Sequence, residues 1–252
     1  MISNFYQNKN ILIIGGSFGI GKELCVELVK KGANLANCAR SKEKIDQLFQ
    51  ASKGDHLSFS CDISKKKDLE KLSANLSKKW SKIDIIIFCV GTYQPMNIDN
   101  FSLEKAQEIM NINFTGFLNF FDSFLHLFKE RKIPHLVIIG SVAGYFGMPN
   151  SLTYGASKAA LTNFSEGLFY ELKKYDTKVQ LINPGFVKTR LTDKNDFKMP
   201  GIISAQNAAK TIIKNLPKNK FEIRFPFLFA SIMKILAILP YKIRFLLFKN
   251  VK

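Results

Sequence analysis

Four side chains in this 252-residue sequence have the types and spacing to move a proton beside a polarised oxygen. Tyr154 and Lys158 stand four apart in Tyr154-Gly155-Ala156-Ser157-Lys158, so a helix puts the phenol and the ammonium on one face. A cation near a phenol favours the phenolate and lowers its pKa, which makes Tyr154 a usable proton donor or acceptor near neutral pH. Ser141 lies 13 residues earlier, at the carboxyl end of a predicted strand, where a hydroxyl can polarise a carbonyl. Asn113, in Asn111-Ile112-Asn113-Phe114-Thr115-Gly116, is placed to organise a water that relays protons to Lys158. Its alternative is a helix-interior amide bonding its own backbone. The Tyr-Lys spacing alone is weak in so lysine-rich a chain. Tyr170 and Lys174 repeat it farther along the same predicted helix, away from the strand edge, and are read as carrying no chemistry.

A second cluster points to a nucleotide. The first strand runs into Gly15-Gly16-Ser17-Phe18-Gly19-Ile20-Gly21, in which Gly15, Gly19 and Gly21 are spaced GxxxGxG. A tight turn needs glycine, a close backbone approach to pyrophosphate needs no Cβ, and a helix N-terminus faces the anion. The alternative is an ordinary strand-to-helix turn. The second strand ends Cys38-Ala39-Arg40-Ser41, without the acid that grips ribose hydroxyls in NAD-preferring folds. Arg40 can instead pair with a 2′-phosphate, which argues for NADP(H) over NAD(H). Its other reading is the start of a solvated helix. Asp62, after the third strand, can accept from an adenine amino group or cap the next helix. Lys158 can also hold the nicotinamide ribose hydroxyls.

These residues need a scaffold, and the apolar pattern supplies one. Strands are predicted at 10–14, 34–39, 57–60, 84–88, 135–140, 178–182 and 221–225. Helices are predicted at 19–31, 42–50, 65–80, 152–174 and 205–216, with one long helical region over 103–132. Ile-, Val- and Leu-rich strands alternating with helices imply an α/β fold: a doubly wound parallel sheet of about seven strands covered on both faces.

Composition narrows the class. Hydrophobic residues make up 46% and charged residues 23%, which excludes a disordered tail protein. Lys and Arg number 37 against 20 Asp and Glu, a net +17. No recognised nucleic-acid module accompanies that charge, so nucleic-acid binding is not expected. No uninterrupted apolar run reaches the length of a membrane span, and the N-terminus MISNFYQNKN lacks the apolar core of a secretion signal. The expected location is cytoplasmic. Cys25, Cys38, Cys61 and Cys89 are scattered and read as reduced thiols; His56, His126 and His135 lack ligand spacing, so no metal is expected.

Taken together, GGSFGIG, CAR, CDI, NFTG, GSVAG, YGASK and INPGFVKT resemble the short-chain dehydrogenase/reductase family, in its order and spacing, over about residues 8–225. The resemblance implies a Rossmann-type sheet and a nicotinamide-dependent oxidoreductase acting on a carbonyl or alcohol. It implies Asn113, Ser141, Tyr154 and Lys158 as the catalytic tetrad. It also implies Ser17, Ile20 and Gly91 at the cofactor beside Gly15, Arg40 and Asp62, with Pro184-Gly185 setting Val187 and Thr189 against the nicotinamide amide. A dimer or tetramer is the expected assembly. Two departures stand out. Ile14 replaces the family's threonine, and Phe88-Cys89-Val90-Gly91 replaces Asn-Asn-Ala-Gly. Packing must then hold backbone that asparagine amides usually tie.

The domain expected over 1–224, with a substrate loop at 190–207, is followed by a different segment, 225–252. From Lys218 to Lys252 there are eight basic residues and one acid, and between Phe225 and Leu239 only Ser231 and Lys234 are neither apolar nor proline. Pro240 should split this extension into two short helices. Phe and Leu interleaved with Lys and Arg suit a peripheral position on the cytoplasmic face of a membrane, and hence a lipid-like substrate. The alternatives are packing on its own domain or across a subunit interface. Two further functions stay open: a reductase of 3-ketoacyl groups on an acidic carrier protein, which the positive charge would recruit, and a non-catalytic NADP(H)-binding or membrane-tethering protein on the same fold.

Overall fold

A computed structural model describes residues 4–50 and 54–249; of the segments named above, 1–3 and 250–252 lie outside the described residues. Its centre is a sheet of seven parallel strands: β1 (Asn10–Ile14), β2 (Asn34–Ala39), β3 (Leu57–Ser60), β4 (Ile85–Phe88), β5 (His135–Ile139), β6 (Lys178–Pro184) and β9 (Glu222–Phe225). Their order is β3-β2-β1-β4-β5-β6-β9. Strand order reverses between β1 and β4, which opens a crevice beyond their carboxyl ends.

Alternation within the strands divides the core. Leu12 and Ile14 of β1, Ile86 and Phe88 of β4, and Leu136 and Ile138 of β5 face one side. Ile11, Ile13, Ile85, Ile87, Val137 and Ile139 face the other. Both sides are buried, so these strands read as unbroken apolar runs rather than as half-polar ones. Helices α3 (Lys66–Lys79), α5 (Gly116–Lys129) and α6 (Leu152–Glu171) cover the first side; α1 (Gly19–Val29) and α7 (Ala205–Asn215) cover the second. Phe117, Phe120, Phe124 and Phe128 recur at helical spacing on α5 and are all buried, with Phe88 edge-on to Phe117 at 5.0 Å. Burying each such ring contributes about 2–3 kcal/mol.

The long helical region expected over 103–132 is not one helix. It divides into α4 (Leu103–Met110), a π-helical turn over Asn111–Thr115, and α5. A π-turn inserts one residue without interrupting the apolar pattern, so periodicity does not reveal it. Gly116 marks where it ends: a Cβ there would stand 2.5 Å from Ile63 Cδ1. A second parallel pair, β7 (Val187–Lys188) with β8 (Ile203–Ser204), clasps the two ends of the loop at 190–207 and is too short to leave a sequence pattern. Helix α2 (Lys42–Gln50) completes the element set before the C-terminal segment.

Pro240 does separate two helices, α8 (Phe227–Ile238) and α9 (Tyr241–Phe248). Ala230 and Met233 on the inner face of α8 form a small core with Val142 and Phe146, and α9 adds Phe248 against Phe146. A polar knot fastens α8 to the sheet edge. Glu222 of β9 accepts from Tyr145 Oη and from Asn183 Nδ2, and pairs with Arg224 and Lys234. No described helix is long and apolar enough to cross a membrane.

Candidate active site

The crevice holds a cavity of about 580 Å³ at the carboxyl ends of β1, β4 and β5. Gly15, Arg40 and Asp62 line one end; Ser141, Tyr154 and Lys158 line the other. Ser17, Gly19, Ile20 and Gly21 also line it, Gly91 faces it from the loop after β4, and Pro184 at the end of β6 with Gly185, Val187 and Thr189 beyond it complete the wall.

The glycine turn is tight enough to exclude any Cβ at two points. Gly15 has φ +95° and its Cβ would fall 2.8 Å from Cys89 O; at Gly21 the clash would be 2.3 Å from Gly15 O. Helix α1 starts at Gly19 with neither a side-chain cap nor an acid in its first turn, so the positive end of its dipole is left for an anion. Asn37, fully buried in β2, accepts from Gly16 N at 3.1 Å and donates to Cys25 Sγ. This amide ties the turn from β2, while at the Cys89-Val90 departure Val90 packs on the core.

At the other end, Ser141 precedes a 3₁₀ turn at Val142–Gly144 and accepts from Ala143 N at 3.1 Å. That bond fixes the oxygen and leaves the hydroxyl proton available. Tyr154 sits in the first turn of α6, with Met96 and Ile109 packed beside it and Tyr93 edge-on at 5.0 Å. Lys158, one turn on and only 3% exposed, donates to Ile139 O at 3.0 Å, with Nζ 5.9 Å from the Tyr154 ring centre. The π-turn points the side chain of Asn113 inward. Its Oδ1 accepts from Thr92 N at 2.7 Å, and its Nδ2 donates to Thr92 O and to Ser157 Oγ. Both amide hydrogens are committed, so the side chain clamps the strand-β4 loop to α6. Ser157 passes the restraint on by donating to Tyr154 O at 2.7 Å.

Burial sets the electrostatics. It raises the Tyr154 phenol above its ordinary pKa, and the Ser141 hydroxyl offsets this only in part. The net shift of the phenol is thus upward, with desolvation its largest cause and the Ser141 hydroxyl the group that opposes it. Lys158 is itself pushed down to about 8 by burial. Desolvation also raises Tyr93 to about 12. Burial opposes ionisation of Asp62 too, yet its hydrogen bonds from the Ser64 hydroxyl and N–H, helped by Lys65 and Arg40, hold its carboxyl below the usual range. Asp62 thus caps the Ser64 turn; the N-cap of α3 is Lys65. The repeated pair at Tyr170 and Lys174 lies outside: Tyr170 is 74% exposed and Lys174 pairs with Glu171.

Residues 9–199, three-quarters of the chain, match the short chain dehydrogenase family. The chain belongs to that family. An uncharacterised oxidoreductase of Myxococcus xanthus is 28% identical over 236 residues, covering 92% of this chain and 93% of its own. The 11-beta-hydroxysteroid dehydrogenase-like 2 protein of Arabidopsis thaliana is 30% identical over 251 residues, covering 95% and 80%. The crystal structure of a short chain dehydrogenase from Burkholderia cenocepacia in complex with NADP superimposes with a TM-score of 0.80 at 19% identity, covering 92% and 94%. This short-chain dehydrogenase is accordingly an NAD(P)-dependent oxidoreductase.

The residues present fit the dinucleotide. The turn admits no Cβ at Gly15 or Gly21, so its backbone lies bare along the cavity; the α1 terminus is uncapped, and Arg40 lines the same cavity. The glycine turn would hold the pyrophosphate, Asp62 the adenine, and Lys158 the nicotinamide ribose. When bound, the nicotinamide supplies or accepts a hydride. Several contributors escaped the sequence reading. Asn37 is an amide in the middle of a strand and Ser157 lies inside YGASK, so both leave a signal in the sequence; Thr92 and Tyr93 leave none. Phe18 is a further one. Arg190 lies 3.1 Å and Lys44 4.0 Å from its ring centre, which gathers two cations at the mouth of the cavity.

Proposed function

We propose that the protein is an NADP-dependent reductase of a hydrophobic, lipid-like carbonyl compound, with the reverse alcohol oxidation open to it. The observation that carries this reading is the half-buried Ser141 and Tyr154 beside buried Lys158, all three lining a cavity that also presents Arg40 and no acid at the end of β2. Arg40 supports a 2′-phosphate partner. NADP in the Burkholderia relative agrees with it.

The chain's residues divide the work. The Ser141 hydroxyl, anchored by Ala143 N–H, donates to the carbonyl oxygen and orients it. Tyr154 is a protonated phenol at neutral pH, as any phenol is, and donates its proton to that oxygen during reduction. Lys158 stabilises the phenolate left behind. Asn113 sets the Tyr154 backbone through Ser157. A hydrophobic substrate is supported by a seam of three rings packed behind Gly185, which lines the cavity: Phe186 meets Phe197 at 5.8 Å and Phe229 at 5.5 Å.

Tyr154→Phe tests the assignment. NADPH consumption with a hydrophobic lipid extract should fall by roughly 10²-fold or more, while NADPH binding by calorimetry is retained. Turnover at the wild-type rate would overturn the assignment.

A further inference from the structure

The outer face of α8 and α9 differs from the rest of the surface. Phe227, Leu228, Ile238, Phe245 and Leu246 are each between 64% and 80% exposed. They are large apolar residues on two consecutive helices whose inner face is already packed, so this face is not a core awaiting its own domain. An exposed apolar surface of this extent marks an interaction site.

Charge chooses the occupant. Residues 226–249 contain four basic side chains and no acid. Lys234 turns to Glu222, and Arg244 lies over Phe146 and Tyr241. Lys242 and Lys249 are left exposed among the apolar residues. A second copy meeting this face through the same surface would set lysine against lysine with no acid between them, a juxtaposition that disfavours association. An anionic lipid surface accepts both features: acyl chains take the rings, and headgroup phosphates take the lysines. Twelve- and eight-residue helices are about 18 and 12 Å long. Neither spans a hydrocarbon core of about 30 Å, so both would lie flat in the headgroup layer.

We propose that the outer face of α8 and α9 docks the protein on an anionic lipid bilayer. The same α8 presses Phe229 against Gly185, where a Cβ would stand 2.8 Å from the ring, so the docked face backs directly onto the loop that closes the cavity. The docking itself does not depend on the catalytic reading.

The test is flotation of the full chain with phosphatidylglycerol–phosphatidylcholine vesicles and with phosphatidylcholine alone. Deleting the segment would remove part of a packed core, so surface substitutions are the right variants. The wild type should float with the anionic vesicles, be released by salt, and stay behind with the neutral ones. Phe245→Ser with Leu246→Ser should abolish flotation and leave the thermal melt unchanged. Lys242→Gln with Lys249→Gln should weaken partitioning roughly 30-fold, about fivefold per lysine. Tyr154→Phe should float like the wild type, which separates this surface from the chemistry. Absence of flotation, equal flotation on neutral vesicles, or a wild-type dimer in light scattering that F245S/L246S converts to monomer would overturn the proposal.

Discussion

The crevice and the C-terminal helix pair use the same residue types to opposite ends. Around Lys158 the cation is enclosed, has one carbonyl partner, and has a pKa drawn down to about 8. On α9, Lys242 is exposed in a segment without acids. Aromatic rings divide in the same way. The phenylalanines of α5 fill the core, and Phe245 stands in the open. Burial shifts a lysine's ionisation at a cost in stability, whereas exposure leaves its full charge free to meet an anionic partner. The difference therefore lies in desolvation and not in composition.

That contrast can be broken first at Lys158. Lys158→Met should reduce turnover by roughly 10²-fold or more, measured as NADPH consumption. It should also stabilise the protein near neutral pH, because a buried ammonium is replaced by an apolar side chain of similar length. The sign follows from linkage. The folded pKa lies below the unfolded value of 10.5, so between pH 8 and 10.5 the unfolded chain holds more protons and wild-type stability rises with pH. The advantage of the methionine variant, up to about 3 kcal/mol, should therefore shrink across that window in urea titrations. A constant difference would mean that Lys158 is solvated like Lys242.

Smaller effects sharpen the comparison. Asn113→Ala leaves Thr92 and Ser157 without their buried partner and should cost about 2 kcal/mol in urea unfolding. Its turnover should fall more than its NADPH affinity, since Ser157 seats Tyr154. Arg40→Ala removes an exposed cation that has no packing role. NADPH affinity should drop roughly tenfold while NADH affinity stays level, as read by calorimetry. Leu246→Ser, on the outer face, should change stability by no more than about 0.5 kcal/mol. A loss comparable to that of Asn113→Ala would show that this face is covered by protein.

Most of the scaffold was readable because β1, β4, β5 and β6 are short Ile-, Leu- or Val-rich runs alternating with amphipathic helices. The glycine turn, Ser141 and the Tyr154–Lys158 pair were readable because their spacing is local. Asn113 was readable as a residue and not as a geometry: the π-turn that aims it depends on α4 and α5 packing against α6 and the sheet. Asn37 is a polar residue inside a predicted strand, and its bond from Gly16 N, 21 residues away, is what gives it a role. Tyr93 and Thr92 carry no local signal, since their partners are 102 and 21 residues away.

The sequence by itself determined the order of elements, the glycine turn, the candidate site residues Ser141, Tyr154 and Lys158, and the split of the C-terminal segment at Pro240. All of these follow from periodicity, backbone conformation and spacing within a few residues. The tertiary structure alone decided how those groups ionise and which apolar faces are covered. Burial raised Tyr154 where its lysine neighbour argued for lowering, and it left one side of α8 and α9 open. Desolvation is the sum of what every distant segment places around a group, and no local window of residues contains that sum.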